Sequence, residues 1–194
     1  MKYTRDWTRK VKTNFSAIAD QLPRPLRILE IGVWEARSAV WMLENLDPAE
    51  YIGIDPWSID NLKRNFFPRN AEGEARVRAI ESLARAMLEP FDNARLIRGA
   101  SQDVLADPQY ADVLFRPGSF GLVYIDGEHE AEAVLADSNN VWPLVCAGGI
   151  VVWDDYITKQ FKTGSAVQQV ADAFLADKPH DVLFRGVQFG VRKR

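Results

Sequence analysis

Five short apolar runs, separated by longer stretches with helical spacing, limit what this chain can fold into more than any other feature. The runs are Arg27 to Ile31, Tyr51 to Ile54, Ala94 to Ile97, Phe120 to Ile125 and Gly149 to Trp153. Each is four to six residues long, and several are rich in Ile and Val. Strands buried on both faces have this composition. Between the runs, Ser38 to Leu46, Ala75 to Leu88 and Ala131 to Val145 have helical spacing; Val77, Ile80, Leu83 and Met87 share one face. The alternation predicts an α/β fold, a doubly wound and mostly parallel sheet covered by helices.

The two ends break the pattern. Val11, Phe15, Ile18 and Leu22 predict a leading amphipathic helix within residues 1–25, stopped by Pro23 and Pro25. Val167 to Leu175 has helical spacing, and Asp181 to Phe184 and Val187 to Val191 flank Arg185-Gly186. These last runs predict a C-terminal antiparallel hairpin on one edge of the sheet. Residues 56–73 are too long for a routine connection and are aromatic and basic (Trp57, Lys63, Arg64, Phe66, Phe67, Arg69). They are a candidate substrate lid or a surface insertion.

The 194 residues are expected to form one domain, 1–194. With 24 basic and 27 acidic residues, the net charge of −3 gives no basic surplus for nucleic acid, so no nucleic-acid partner is expected. Cys146 is the only cysteine, which excludes an internal disulfide and points to a reducing, cytoplasmic setting. No run approaches the ~18 apolar residues of a membrane-spanning helix, and no membrane partner is expected.

Ligands of open parallel sheets bind beyond the carboxyl ends of the strands. The first run ends in Glu30-Ile31-Gly32, where Gly32 permits a tight turn and close backbone approach. The three glycines of a dinucleotide loop are absent, which counts against a nicotinamide-dependent oxidoreductase. Asp55 ends the second run, where a carboxylate can accept both hydroxyls of a ribose or simply close a turn before Pro56. The third run ends in Gly99-Ala100-Ser101-Gln102-Asp103. Ser101 and Gln102 suit the edge of an adenine ring, and Ser101 also suits a helix cap.

Glu30-Ile31-Gly32, Gly53-Ile54-Asp55, Gly99-Ala100-Ser101-Gln102-Asp103, Tyr124-Ile125-Asp126-Gly127 and Gly148 to Tyr156 (GGIVVWDDY) stand in the order seen in one family. From about Arg27 to Val191 the chain resembles class I S-adenosylmethionine-dependent methyltransferases. It is most similar to the catechol O-methyltransferase type and to small bacterial enzymes that methylate sugars and natural products. The resemblance implies a Rossmann-like sheet with a C-terminal hairpin and S-adenosyl-L-methionine as cofactor. It places Glu30, Gly32, Trp34 and Ser38 against the methionine portion, Asp55 on the ribose, and Ser101 with Gln102 by the adenine.

The fourth run ends at Asp126 and the fifth at Asp154-Asp155, on the same predicted edge. Three converging carboxylates repel unless a cation neutralises them, and hard oxygen ligands suit Mg²⁺ or Ca²⁺. Metal-free strand-end aspartates are the plainer alternative. The resemblance implies that Asp126, Asp154 and Asp155 hold Mg²⁺, with Asp126 also near the cofactor's sulfonium or amino group and the reacting atoms. The catechol-type enzymes carry a lysine base three residues after the first aspartate; this chain has His129. An imidazole, with a free-solution pKa of about 6.5, suits a general base at neutral pH. It equally suits a ligand to the metal, a contact to substrate or a structural partner to a carboxylate.

The expected function is therefore O-methylation of a small hydroxylated molecule, with Mg²⁺ assistance. The alternatives are an inactive cofactor-binding module, or a methyltransferase with a nitrogen or macromolecular acceptor, since fold does not fix the acceptor. The leading helix or the terminal hairpin offers a surface for a homodimer.

Overall fold

The computed structural model describes residues 9–60, 67–157 and 165–194. Its seven strands are β1 (Arg27–Ile31), β2 (Glu50–Asp55), β3 (Ala94–Arg98), β4 (Phe120–Ile125), β5 (Val145–Trp153), β6 (His180–Arg185) and β7 (Phe189–Lys193). They form one sheet in the order β3-β2-β1-β4-β5-β7-β6. β1 to β5 pair in parallel, whereas β7 runs antiparallel between β5 and β6. The strand order reverses between β1 and β4, which opens the crevice where such sheets take ligands.

Helices α1 (Arg9–Ile18), α2 (Arg37–Leu46) and α3 (Ala71–Leu88) cover one face; α4 (Ser101–Ala106), α5 (Pro108–Ala111), α6 (Ala131–Val141) and α7 (Ala166–Leu175) cover the other. The alternating side chains of β1 show why both faces need cover. Leu29 and Ile31 enter one core with Val134 and Phe174, while Ile28 enters the other with Phe15 and Met42. Every residue of β4 is buried, so the central strand has no solvent face and no polar alternation. Among the described residues no helix is long and apolar enough to cross a membrane.

Three boundaries differ from those the sequence predicts. α3 starts at Ala71, because the Asn70 side chain accepts the Glu72 and Gly73 N–H groups and its first turn is polar rather than apolar. β5 starts at Val145, since Phe120 pairs with Val145 and Leu122 with Ile150, leaving Cys146 to Gly149 as an irregular bulge. β7 starts at Phe189, because Val187 and Gly186 pair with the segment after β5 (Tyr156 N to Val187 O, 2.7 Å). Residues 61–66 of the predicted lid, residues 1–8 and residues 158–164 lie outside the described residues.

Candidate active site

The parallel register carries one rung past the strand ends and sets the site in a row. Gly32 N donates to Ile54 O (2.9 Å), Asp126 N to Ile31 O (2.8 Å) and Asp154 N to Ile125 O (2.9 Å). Gly32, Asp126 and Asp154 therefore leave the sheet side by side. Above them lies a cavity of about 880 Å³, lined in part by Gly32, Trp34, Asp55, Gln102, Asp126 and His129.

At the β1 exit, Gly32 has φ 88°, and a Cβ there would land on the Asp126 carbonyl; only glycine permits this approach. Trp34 (φ 52°), Ala36 (φ 60°), Trp57 (φ 39°) and Asp155 (φ 51°) also take left-handed backbone near the cavity. Non-glycine residues hold such angles only where surrounding bonds compel them. Asp55 supplies much of that compulsion. Its Oδ2 accepts the Val33 and Trp34 N–H groups (2.9 Å each), and its Oδ1 accepts the Trp57 N–H (2.7 Å). With Oδ2 taking two bonds and Oδ1 one, the carboxylate keeps acceptor capacity toward the cavity it lines. Desolvation raises its pKa, and the three N–H donors oppose the rise.

Glu30 sits behind this loop rather than in the cavity. It is fully buried, and its two oxygens are taken by the Ser38 and Tyr51 hydroxyls. Burial pushes its pKa up to about 8. Its place under α2 makes it an anchor for Ser38. Gly32, Trp34 and Ser38 do line the cavity.

At the β3 exit, Gln102 and Ser101 line the cavity, but Ser101 is not a helix cap. It is the first residue of α4, and its hydroxyl donates to Asp137 of α6. Asp137 is 2% exposed, and burial raises its pKa to about 6, against the Ser101 hydrogen bond and with the charge of Glu128.

The acidic end is arranged differently. The Tyr124 hydroxyl lies between Asp154 Oδ2, its close partner, and Asp126 Oδ2 (3.1 Å). Gln188 Nε2 donates to Asp154 Oδ2 (3.2 Å), and Asn14 Nδ2 of α1 donates to Gln188 Oε1 (2.9 Å). Asp155 turns outward, and its Oδ2 lies 2.9 Å from His129 Nε2. That approach lacks hydrogen-bond alignment, and Nε2 is buried with no hydrogen-bond partner among the described residues. The pKa of Asp126 is raised by desolvation first and then by Asp154, Asp155 and Glu30. The negative charges of Asp154 and Asp155 thus bear on Asp126 at this end. Among the described residues, however, no three His, Cys, Asp or Glu side chains are gathered as a ready-made metal site. Tyr124 links Asp126 to Asp154, Gln188 adds a bond to Asp154, and His129 lies against Asp155.

The sequence reading did not single out Tyr124, Gln188, Asn14 or Asp137. Tyr124 reads as core within an apolar strand, and Gln188 as part of a hairpin strand. Asp137 did leave a signal, as an acid on the face of α6 that carries Val134 and Val141.

A family profile described as a methyltransferase domain matches residues 29–156, from β1 through the acidic pair after β5. The chain belongs to this methyltransferase family. It is also 29% identical over 156 residues to uncharacterized protein R132 of Acanthamoeba polyphaga mimivirus, covering 78% of this chain and 60% of that protein. The chain thus spans less than two thirds of that relative's length. Its fold is shared with CalS11, a TDP-rhamnose 3'-O-methyltransferase of calicheamicin biosynthesis (TM-score 0.64, 16% identity, 97% of this chain and 80% of that one). It is shared too with the MycE methyltransferase of the mycinamycin pathway, solved with Mg and SAH (TM-score 0.56, 16% identity, 100% of this chain and 51% of that one). The strand order, with β7 between β5 and β6, is the class I methyltransferase arrangement.

Proposed function

We propose that this protein transfers the methyl group of S-adenosylmethionine to an oxygen of a small hydroxylated acceptor, with Mg²⁺ assisting. The observation that carries the reading is one cavity shared by two unlike ends: a glycine loop braced by Asp55, and Asp126, Asp155 and His129 at the neighbouring exits. The first suits a donor bound by backbone and carboxylate; the second suits an acceptor that must lose a proton. The donor's methionine part would lie along Gly32, Trp34 and Ser38, its ribose by Asp55 and its adenine by Ser101 and Gln102.

The chemistry asks for alignment and charge management. The acceptor oxygen forms a bond to the methyl carbon as the carbon–sulfur bond breaks, and sulfur keeps the electron pair as a neutral thioether. The hydroxyl proton passes to the His129 imidazole, and Asp155, 2.9 Å from its Nε2, would stabilise the imidazolium. Holding oxygen and methyl in line supplies several kcal/mol of barrier reduction. Asp126, Asp154 and Asp155 offer the hard oxygen donors that suit Mg²⁺, and the repulsion of Asp154 and Asp155 on Asp126 favours a cation. When bound, the ion would make a nearby hydroxyl easier to deprotonate. The fold shared with MycE, a protein solved with Mg, adds support.

One observation favours a metal-free variant of this reaction. The carboxylates are already engaged by Tyr124, Gln188 and His129, and they do not converge on one point. Turnover on a panel of hydroxylated acceptors, with and without EDTA, separates the two. The metal reading expects EDTA to abolish turnover while cofactor affinity, titrated separately, stays largely intact. Asp155→Ala should mimic chelation and respond poorly to added Mg²⁺. Full activity in EDTA overturns the metal and leaves His129 as the base.

A further inference from the structure

We propose that Asp137 reads the 6-amino group of the donor's purine and so makes this site select adenine over 6-oxopurines. The inference rests on the S-adenosylmethionine reading above and adds to it a residue outside the expected contacts. Three observations carry it. Asp137 lines the cavity although it is only 2% exposed. Its Oδ1 accepts the Ser101 hydroxyl, which ties the carboxylate to the β3 exit. Its Oδ2 is 3.6 Å from where a Cβ on Gly127 would sit, so it faces the β4 exit, while the hydrogen bond from Ser101 goes to the other oxygen.

The surroundings state what such an oxygen can receive. Ala100, Gly127, Ala133 and Ala136 line the same cavity and bring no donor side chain. Ala133 precedes Asp137 by one helical turn and so shares its side of α6. Among the described residues no Lys or Arg forms an ion pair with Asp137. An oxygen that opens on the cavity from a carboxylate this enclosed keeps room to accept a further donor. A flat ring bearing an exocyclic amino group fits a slot walled by small residues and supplies that donor. A 6-oxopurine instead points an acceptor at the carboxylate, and a site built to accept a hydrogen bond rejects a ligand that lacks the donor.

The experiment is calorimetric titration of the full chain with S-adenosylhomocysteine and its 6-oxo analogue, S-inosylhomocysteine. The wild type should prefer the adenosyl compound by at least about tenfold. Asp137→Asn should bring that preference close to unity, because an amide can turn its NH₂ toward a 6-oxo group. Ser101→Ala, which keeps the carboxylate but frees it, should weaken both ligands and retain part of the preference. Equal wild-type affinities, or an undiminished preference in a folded Asp137→Asn, overturn the inference and make Asp137 a structural pin between α4 and α6. A wild type that binds neither nucleoside overturns the donor assignment itself, which sets the two failures apart.

Discussion

At the exits of β1 and β2 the carboxylates are enclosed by donors, whereas at the exits of β4 and β5 Asp154 alone is so enclosed and Asp126 mainly faces its neighbours' charge. Asp55 takes three backbone N–H bonds, and Glu30 takes two hydroxyls under α2. Asp126, by contrast, shares the Tyr124 hydroxyl with Asp154 and stands under the charge of Asp154 and Asp155. The first half is set before any ligand arrives, and its strained backbone at Trp34, Ala36 and Trp57 is held by those bonds. In the second half, Asp126 gains little from donors and lies under its neighbours' charge. A ligand meeting the first half finds a mould, and one meeting the second completes it. Methyl transfer benefits from both, because the electrophile must be fixed while the nucleophile's proton must move.

The contrast can be broken most severely at His129. His129→Ala should lower turnover by about 10²–10⁴-fold and leave cofactor affinity nearly unchanged. Steady-state rates beside a cofactor titration check this; an unchanged rate would remove the imidazole from the proton's path. Asp55→Ala attacks the other half and should reverse the pattern. It frees the Val33, Trp34 and Trp57 amides and should weaken S-adenosylmethionine binding by about 1.5–3 kcal/mol, the range for hydrogen bonds to a charged group. Equal affinities in calorimetry would show that the loop holds its shape without the carboxylate.

A third effect concerns stability and sharpens the view of the first half as a neutralised scaffold. Glu30 titrates at about 8 in the folded state against a reference of 4.5, so between those values the folded form binds more protons than the unfolded. Folding stability from this group is fully present below the lower value and is lost as pH rises through the upper one. Its slope reaches at most about 1.4 kcal/mol per pH unit. Glu30→Gln should flatten the decline above pH ~6 in denaturant titrations. The part due to Asp137, whose pKa is about 6, should remain. Identical pH profiles for mutant and wild type would place Glu30 in contact with solvent or a cation.

Much of this architecture was legible because it rests on local pattern. The apolar runs gave five strands, and the strand-end residues Gly32, Asp55, Ser101, Asp126 and Asp154 follow from where those runs stop. Tertiary pairing was not legible. Asp55 reads as a ribose ligand from its position, but its three amide partners come from two separate loops that only the fold brings together. Glu30 looks like a cavity residue until the alternation of β1 is known, which turns it toward α2 with Ile28. The bulge after Val145 and the inward turn of Gln188 depend on registers that no single-strand pattern specifies.

The Asn14–Gln188 hydrogen bond joins residues 174 positions apart. Gln188 in turn steadies Asp154, so the acid cluster is finished by one of the longest closures the chain makes. Such contacts cost the most chain entropy to bring together and form late in folding. They are also among the first to open when a structure breathes, because single polar links between peripheral elements lie at the low end of local stability. The order of events follows: the sheet and its donor loop can assemble and persist while Asp154 is still unsteadied. Hydrogen exchange should record this as earlier opening of α1 and the β6–β7 turn than of β1 and β4. The protein thus carries a grip that is old in each folding event and an acid end that is always its youngest part.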